Sequence, residues 1–369
     1  MNPRQKLIIL FLSLTIVVSA QEIIPLDTNN WTINARSYVI EEYKGKNSIY
    51  LQAGSMTLKD RNFQNGTIEF DMYLKQAQMF PGLYFRVVNN SDAEQWFVRP
   101  HLSGKPDANQ AAPATKGITP WQLYFGPRYS FPYDYKYDDW THVKLVVNGD
   151  KAQVFLDYSE KPNLSWNLFH PEQSGKLIMR GGGLQAMHLA DIKVDENATE
   201  LIDFKAIERE PIDGLIQKWE ISDMFEEKRL ADLTNLETLI SERKWQGIIS
   251  VEEGTAANIA RVQALYNGEP GNTVFARIKI NSNKDQMKLL EFGYSDRVVA
   301  ILNGKPIYWG TNKWRSRDYR YLGTVGLFDG VYLDLKKGEN ELLMAVSEDF
   351  GGWLITGRFK DNKGLKISD

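Results

Sequence analysis

Short runs in which apolar and polar residues alternate recur from about residue 34 to about residue 194, and again from residue 246 onwards. In Gly66–Leu74, for example, Ile68, Phe70 and Met72 alternate with polar neighbours. A period of two is typical of a strand that buries one face. Because such runs follow one another at short intervals, separated by Gly, Asn and Asp, the chain is predicted to build antiparallel sheets.

Two Asn-Gly dipeptides mark tight hairpins between these runs. Asn148-Gly149 lies within the alternating stretch 143–157, and Asn303-Gly304 lies between two apolar runs of the second half. Asn-Gly favours the two-residue turns that match the twist of paired strands. Many short strands without a helical period predict an all-β fold with two antiparallel β-sandwich, or jelly-roll, domains.

The stretch between the two β-rich regions has a different pattern. It is rich in Glu, Lys and Leu, and apolar residues recur there at helical spacing: Leu230, Leu233, Leu236, Leu239 and Ile240. We therefore expect a first sandwich over 21–197, a connector with one short helix over 198–245, and a second sandwich over 246–369.

The first twenty residues have the pattern of a secretory signal peptide. Arg4 and Lys6 precede an apolar run, and Val18-Ser19-Ala20 is a small-residue cleavage site. The apolar run is too short to span a bilayer, and no later segment is long and apolar enough to do so. The chain has no cysteine. Cleaved export to a bacterial periplasm or to the cell exterior is therefore expected.

The charge balance argues against one class of partner. The formal net charge is −3, which gives no reason to expect binding to nucleic acid. Aromatic residues make up 12% of the chain, a content that suits both β-structure and sugar binding, so it does not distinguish them.

Short motifs resemble two known families. The segments 64–72 (QNGTIEFDM), 81–86 (PGLYFR), 140–144 (WTHVK) and 154–157 (VFLD) resemble the concanavalin A-like lectin/glucanase superfamily, in its laminin-G-like branch, over about residues 30–195. The segments 292–296 (FGYSD), 302–305 (LNGK) and 336–343 (KKGENELL) are similar to galactose-binding-like jelly-roll modules. The first resemblance implies a lectin-like sandwich. The second implies a module that either binds sugar or is structural.

The resemblance also raises a catalytic hypothesis. Laminarinase-type hydrolases of this superfamily carry Glu-x-Asp-x-x-Glu on one strand, and Glu69 and Asp71 match its first two acids. The third acid is missing, because positions 73 and 74 are Tyr73 and Leu74. Retaining hydrolysis needs two carboxyl groups about 5–5.5 Å apart. We therefore expect a solvated strand face at Glu69 and Asp71, and assign no catalytic residue, with Glu69, Asp71 and His101 as weak candidates.

The long stretch 100–139 lacks strand pattern but is too aromatic for a disordered segment. It begins with a polar cluster of Arg99, His101, Asp107 and Gln110. His101 has the ordinary pKa of a general acid or base, and planar guanidinium and amide groups suit adjacent sugar hydroxyls. The alternative is that these side chains hold the loop through hydrogen bonds to its backbone.

Aromatic residues follow in the same stretch. Rings with polar edges stack on sugar faces, and the candidates are Trp121, Tyr124, Tyr133 and Tyr135, with Gln122 and Arg128 between them. Alternation along 129–137 predicts that its aromatic residues share one side of an extended segment. Packing in the core or between the domains is the equal alternative. A second loop of similar composition supplies Trp309, Trp314, Arg315 and Arg317, either as a further binding site or as a docking surface.

No cofactor is expected. Calcium is the one candidate, at Asp134, Asp138 and Asp139, although ordinary surface acids are the favoured interpretation. The leading functional hypothesis is an exported carbohydrate-binding protein, accessory to polysaccharide recognition or use, whose partners are carbohydrate and other carbohydrate-active proteins. The alternatives are a glycoside hydrolase with its site at the 100–139 loop, and a structural envelope protein.

Overall fold

The computed structural model describes residues 22–89, 91–183, 185–265 and 271–368. The signal peptide predicted at 1–20 lies outside the described residues. Within the described ranges, none of the helices has the length and apolar character that a membrane crossing requires. The architecture is all-β, as the alternation predicts.

Among the described residues, eleven antiparallel strands form the first sandwich. They are β1 Trp31–Tyr43, β2 Lys46–Leu58, β3 Gly66–Leu74, β4 Gly82–Val88, β5 Asp92–Val98, β6 Asn109–Ala114, β7 Asp139–Asn148, β8 Lys151–Leu156, β9 Leu164–Asn167, β10 Lys176–Arg180 and β11 Met187–Asp195. Their order is β6-β5-β4-β10-β2-β11-β3-β7-β8-β9, and β1 pairs with β2.

The long strand β2 turns this path into two layers. Its residues Ser55–Thr57 pair with β10, while Ser48–Leu51 pair with β11. One half of β2 therefore belongs to the β6-β5-β4-β10 layer and the other half to the β11-β3-β7-β8-β9 layer. The core between them is built around fully buried rings, including Trp31, Trp96 and Trp166.

In the described part of the second half, eleven further strands form the second sandwich. They are β12 Lys218–Ser222, β13 Trp245–Glu252, β14 Ala256–Asn258, β15 Thr273–Ser282, β16 Gln286–Tyr294, β17 Arg297–Leu302, β18 Lys305–Thr311, β19 Asp329–Leu335, β20 Gly338–Ser347, β21 Leu354–Arg358 and β22 Leu365–Ser368. Their order is β18-β17-β20-β15-β12-β13-β14-β21-β16-β19, and β22 pairs with β15.

The segment expected as a connector contains part of the second sandwich. Strand β12 pairs with β13 and β15, inside the second sheet. The helical pattern produces only a short helix, α1 Leu236–Ser241, which follows single turns of 3₁₀ helix at Glu227–Ala231 and Leu233–Asn235. Other 3₁₀ turns occur at Pro100–Leu102 and Ile259–Arg261. Leu230, Leu236 and Leu239 cover a hydrophobic face of the β15-β17-β20 layer, which explains their spacing.

Both predicted hairpins are confirmed. In the first, Asn148 is itself paired, with Lys151, so the two-residue turn is Gly149-Asp150 and not Asn148-Gly149. In the second, Leu302 pairs with Lys305 across Asn303-Gly304, as predicted. Asn303 and Gly304 both have positive φ, at 49° and 76°, as this turn requires.

The alternation predicted for β3 is confirmed, but the prediction that its second face is solvated is wrong at Asp71. Ile68, Phe70 and Met72 point into the core, as expected. On the opposite face Asp71 is only 2% exposed, because side chains of neighbouring strands cover it.

Candidate functional site

A cleft of about 450 Å³ lies where the outer face of the β4-β5-β10 layer meets loops of the second sandwich. Both sandwiches supply its walls, and its volume is within the range of small-ligand sites. Its aromatic lining is Phe80, Tyr84, Phe97, Trp121, Trp314 and Phe350. Its polar and cationic lining is Gln78, Gln95, Arg99, Thr119 and Arg180, and Gly117, Ile118, Leu322 and Gly351 complete it.

The floor of the cleft follows from strand alternation. In β4, Leu83 and Phe85 enter the core, so Tyr84 between them faces outward. Gly82 pairs with Arg180 of β10 on one side and with Phe97 of β5 on the other. Because paired residues share a face, Arg180 and Phe97 lie on either side of Gly82. The absence of a side chain at Gly82 lets β5 pack closely, since a Cβ atom there would overlap the Trp96 carbonyl oxygen.

A row of three rings joins the two sandwiches along one wall. The ring centroid of Phe350 lies 5.5 Å from that of Trp121 and 5.6 Å from that of Trp314. Trp314 is 74% exposed and Phe350 is 53% exposed. Large aromatic faces open to solvent at a concave surface are typical of a binding site rather than of a core.

Two glutamines hold Trp121 in place. The side chain of Gln110 donates to the carbonyl oxygens of Trp121, at 3.0 Å, and of Tyr124. Gln122 links the same turn to the second sandwich, because its Oε1 accepts from the Gly352 N–H at 3.0 Å. The Val325 N–H also donates to the Gln122 carbonyl oxygen, at 2.8 Å. The position of Trp121 therefore depends on both sandwiches.

Trp314 is held in a strained backbone conformation. Its φ is +57°, which is an outlier for a bulky side chain. The neighbouring Lys313 forms an ion pair with Asp349, and the Asn312 N–H donates to the Asp296 carbonyl oxygen at 2.7 Å. Strain that the surroundings enforce is concentrated at functional sites, and here it orients an exposed indole ring at the cleft.

Phe350 is held by a buried carboxyl group. Its N–H donates to Glu348 Oε1 at 3.0 Å. Burial, together with the nearby charge of Asp296, raises the pKa of Glu348 to about 8. Glu348 is fully buried, so it supports the loop from behind and does not face a ligand.

The predicted polar cluster lies at one end of the cleft, largely below its surface. Arg99 is 2% exposed and donates to Asp107 Oδ1 at 2.7 Å and to Gln110 Oε1. Asp107 also accepts from the Leu322 N–H of the second sandwich, at 2.8 Å. This network fixes the loop and the junction, as the alternative interpretation held, and of its members only Arg99 lines the cleft.

His101 lies next to the cleft and packs edge-on against the ring of Phe80, at 5.4 Å between centroids. Burial and the charge of Arg99 lower its pKa. Its two ring nitrogens are buried and have no hydrogen-bond partner among the described residues. A neutral imidazole packed on a phenyl ring does not have the contacts that the general acid–base hypothesis requires.

Several predicted sugar ligands lie in the junction between the sandwiches instead. The hydroxyls of Tyr124 and Tyr129 donate to Glu252 and Glu253, and Arg128 forms an ion pair with Glu253 at 2.7 Å. Burial raises the pKa of both tyrosines, so their hydroxyls stay protonated donors. Tyr124 and Tyr129 pack with apolar residues of both sandwiches, namely Ala112, Leu123, Ala256, Val325 and Leu354.

Tyr133 and Tyr135 also lie away from the cleft. Tyr135 is buried in the first core and donates to the Ala108 carbonyl oxygen at 3.0 Å. Tyr133 packs against the same core, and its hydroxyl donates to Asp157 at 2.7 Å. This part of the 100–139 stretch covers the first sandwich, which corrects the expectation of a continuous aromatic binding face.

Glu69 and Asp71 belong to a charged cluster on the other layer. Asp71 forms an ion pair with Lys46 and a hydrogen bond of 2.7 Å with His142 Nδ1. Lys46 also contacts Asp191 at 2.6 Å, and Glu69 lies 3.8 Å from His142 Nε2. Hydrogen bonds from His142 and Lys46 lower the pKa of Asp71 despite its burial. Because Asp71 stays ionised and fully paired, it does not have the raised pKa of a glycosidase acid.

The second predicted loop divides between two places. Trp314 lines the cleft, while Trp309 lines a separate, open cavity of about 310 Å³ beside Arg297 and Glu227. Arg297 makes two hydrogen bonds to Glu227, at 2.6 and 2.7 Å, so the charges of that cavity already neutralise each other. Arg315 is exposed, and Arg317 donates to the Phe328 carbonyl oxygen at 3.0 Å.

Among the described residues, no group of three or more His, Asp or Glu side chains has the geometry of a metal site. Calcium at Asp134, Asp138 and Asp139 stays an untested expectation. The cleft residues that sequence reasoning missed are mainly Tyr84, Gln95, Phe97 and Arg180 on the floor, and Phe350 on the wall. Alternation in their strands puts the floor residues on the outer face, but the pairing of β10 with β4 joins distant segments.

No protein-family model and no curated protein sequence matches the chain. Among solved structures, it is similar to a carbohydrate-binding module (CBM66) from Bacillus subtilis, at 14% identity and a TM-score of 0.34, over 44% of this chain and 93% of that one. It is also similar to a galectin from Caenorhabditis elegans, at 14% identity and a TM-score of 0.30, over 46% and 99% of the two chains. A glycosyl hydrolase family protein from Mycobacterium fortuitum matches at 13% identity and a TM-score of 0.31, over 46% and 92%. Similarity at this level does not carry function from one protein to another.

Proposed function

We propose that the chain binds carbohydrate in the cleft between its two sandwiches. The observation that carries the proposal is the row Trp121, Phe350 and Trp314, whose rings line a concave surface shared by both sandwiches. Pyranose rings present apolar C–H faces that suit such rings, and polar groups at the rim set their orientation. Gln78, which is exposed, and Arg180, which is half-buried, are in position to donate to hydroxyl groups.

Binding without cleavage is the proposed activity. Glycoside hydrolysis requires two carboxyl groups on either side of the scissile bond. The side chains that line the cleft within the described part of the chain include no Asp and no Glu. The predicted leader at 1–20 supports a protein exported to meet polysaccharide outside the cytoplasm, as an accessory to its recognition or use by other carbohydrate-active proteins.

Calorimetric titration with a panel of oligosaccharides tests this proposal. We expect Trp314→Ala to weaken the binding of any oligosaccharide that the wild type binds by about tenfold or more, because one stacking face is lost. Trp314 is 74% exposed, so its removal leaves the core intact. Trp309→Ala is the matched control, since Trp309 is 55% exposed and lies at the other cavity.

Two results would contradict the proposal. The first is equal weakening by both substitutions, which would place binding elsewhere. The second is a wild type that binds nothing in a broad panel. Release of new reducing ends during the same incubations would show that the chain is a hydrolase, and the binding-only assignment would then be wrong.

A further inference from the structure

Arg180 lines the cleft with a guanidinium that the described residues leave largely unpaired. Its guanidinium has five N–H donors, and one of them, on Nη1, donates to the Tyr84 hydroxyl at 3.1 Å. The guanidinium also lies over the Tyr84 ring, 5.8 Å from its centroid. Within the described ranges, no carboxylate lies within ion-pair distance of Arg180. Most of its donors therefore have no acceptor among the residues that the structure describes, and the side chain lines the cleft.

The other side chains described in the cleft lining do not neutralise the charge of Arg180. Arg99, the other cation of the lining, is neutralised by Asp107 at 2.7 Å. The remaining lining side chains of the described cleft are neutral. The cleft therefore carries a net positive charge at Arg180, in a partly enclosed site where water screens charges less than at an open surface.

The position of Arg180 favours a ligand anion next to a ring face. The strand pairing places Arg180 and Phe97 on either side of Gly82 on the floor, and the Tyr84 hydroxyl fixes one edge of the guanidinium. A planar guanidinium held in this way offers two parallel N–H donors to one oxyanion, and it binds carboxylate or sulfate more strongly than a hydroxyl group.

We infer that the cleft selects acidic carbohydrate, and that Arg180 binds the anionic group, a uronate carboxylate or a sulfate ester. This inference rests on the proposed function, because it names the class of sugar that the same cleft takes. Arg180 is then the residue that determines specificity, while Trp121, Phe350 and Trp314 supply affinity for the sugar ring whatever its charge.

The test compares acidic oligosaccharides with their neutral counterparts by calorimetric titration. Oligogalacturonate is paired with the same oligomer after carboxyl reduction, and a sulfated galactan oligomer with its desulfated form. We expect at least one acidic member to bind about 10- to 100-fold more tightly than its neutral partner, the range expected for a charge-assisted hydrogen-bonded pair. The pair that shows the difference identifies the anion.

Variants assign the preference to one side chain. Arg180→Gln is expected to remove the difference between the members of a pair while weaker binding to both persists, and Arg180→Lys to retain part of it. Arg36→Gln is the control, because Arg36 is exposed on β1 outside the cleft and its loss changes the net charge equally. If Arg180→Gln does not fold, titration of the wild type at low and high salt still shows whether the cleft binds an anionic group, since only binding of an anion weakens steeply with salt.

The possible failures are distinct. Equal affinity for acidic and neutral members, with binding that Trp314→Ala weakens, overturns the role of Arg180 and leaves carbohydrate binding standing. If Arg180→Gln still prefers the acidic oligosaccharide to its neutral partner, the role of Arg180 is likewise overturned. Binding of neither member in any pair, after a broad neutral panel has also failed, overturns both proposals together.

Discussion

Arg99 and Arg180 line the same cleft but have opposite electrostatic roles. Arg99 is buried and donates to Asp107 and Gln110. Its charge is therefore neutralised within a network that also links the loop to the second sandwich through Leu322. Arg180 is half-buried and donates to a neutral hydroxyl. A buried ion pair is costly to break because one charge is left unpaired, whereas an unpaired guanidinium at a cleft is available for a ligand. Exposure and pairing thus distinguish the arginine that joins the sandwiches from the one that we propose to bind a ligand.

Glu94 is a buried acid that the binding proposal does not use. It is 1% exposed, and one carboxylate oxygen accepts from the N–H groups of Phe169, at 2.9 Å, and His170, at 2.7 Å. Burial raises its pKa from 4.5 to about 7, although these two hydrogen bonds and the charges of Arg86 and Arg261 act in the opposite direction.

The raised pKa of Glu94 predicts a pH-dependent stability. An acid whose pKa is higher in the folded state binds its proton more tightly there, so its stabilising contribution is complete below about pH 4.5 and is lost as the pH rises towards 7. The side chain of Glu94→Gln is neutral at every pH, so this variant does not lose stability through a titration at position 94. Between pH 4.5 and pH 8, the free energy of unfolding of Glu94→Gln should therefore rise relative to the wild type, by up to about 3 kcal/mol.

Urea unfolding at a series of pH values measures this difference. Glu237→Gln, at an exposed position of α1, is the control and should follow the wild type at every pH. If the curves for Glu94→Gln and the wild type stay parallel from pH 4.5 to pH 8, Glu94 titrates alike in the folded and unfolded states, and the assignment of its raised pKa is wrong.

At the scale of elements, strand β16 determines where one wall of the cleft lies. Gly293 of β16 is so close to the loop that follows β18 that a Cβ atom there would overlap the carbonyl oxygen of Gly326. The same loop carries Leu322 of the cleft, and its Val325 N–H donates to the Gln122 carbonyl oxygen. A side chain at position 293 would therefore push this loop away from the turn that holds Trp121.

Gly293→Ala is predicted to lower stability by about 1–3 kcal/mol through overpacking, and to weaken oligosaccharide binding as well. Gly304→Ala is the comparison. Among the described residues, none apart from its two chain neighbours comes within 4 Å of a Cβ atom at Gly304. Its φ is +76°, so we expect a cost of about 1 kcal/mol and unchanged binding. Urea unfolding and calorimetric titration of both variants check this. Normal binding by a destabilised Gly293→Ala would mean that the loop position does not govern the site.

The elements were more predictable than the site they form. Local alternation and the Asn-Gly turns are enough to predict most strands and both hairpins, because these signals act within about ten residues. The cleft floor depends on β10 pairing with β4, whose residues Arg180 and Gly82 are far apart in the sequence. Trp121 and Trp314 were predicted from composition alone. Phe350 and Arg180 were missed, because only the packing of the sandwiches brings them to the cleft.

At the scale of the whole molecule, the two sandwiches meet at a junction and together line the cleft of the proposed site. The hydroxyls of Tyr124 and Tyr129 reach Glu252 and Glu253, and apolar residues of both sandwiches bury Leu123 between them. The cleft opens beside this junction, so its geometry depends on how firmly the sandwiches are joined. The middle of the 100–139 stretch joins the two sandwiches through Tyr124 and Tyr129, and its turn at Trp121 forms part of the cleft wall.

The junction predicts that the two sandwiches unfold together. Tyr124 is 1% exposed, and its ring lies 4.6 Å from that of Phe169 and 5.4 Å from that of Tyr129. Truncating a buried aromatic residue to alanine costs about 3–5 kcal/mol, and here the loss falls on the contact between the sandwiches. Scanning calorimetry should show one cooperative transition for the wild type and two for Tyr124→Ala, which should also bind oligosaccharide more weakly.

Tyr319→Ala, at a position that is 96% exposed, should keep the single transition. Two separate transitions in the wild type, or one unchanged transition in Tyr124→Ala, would show that the junction does not couple the sandwiches.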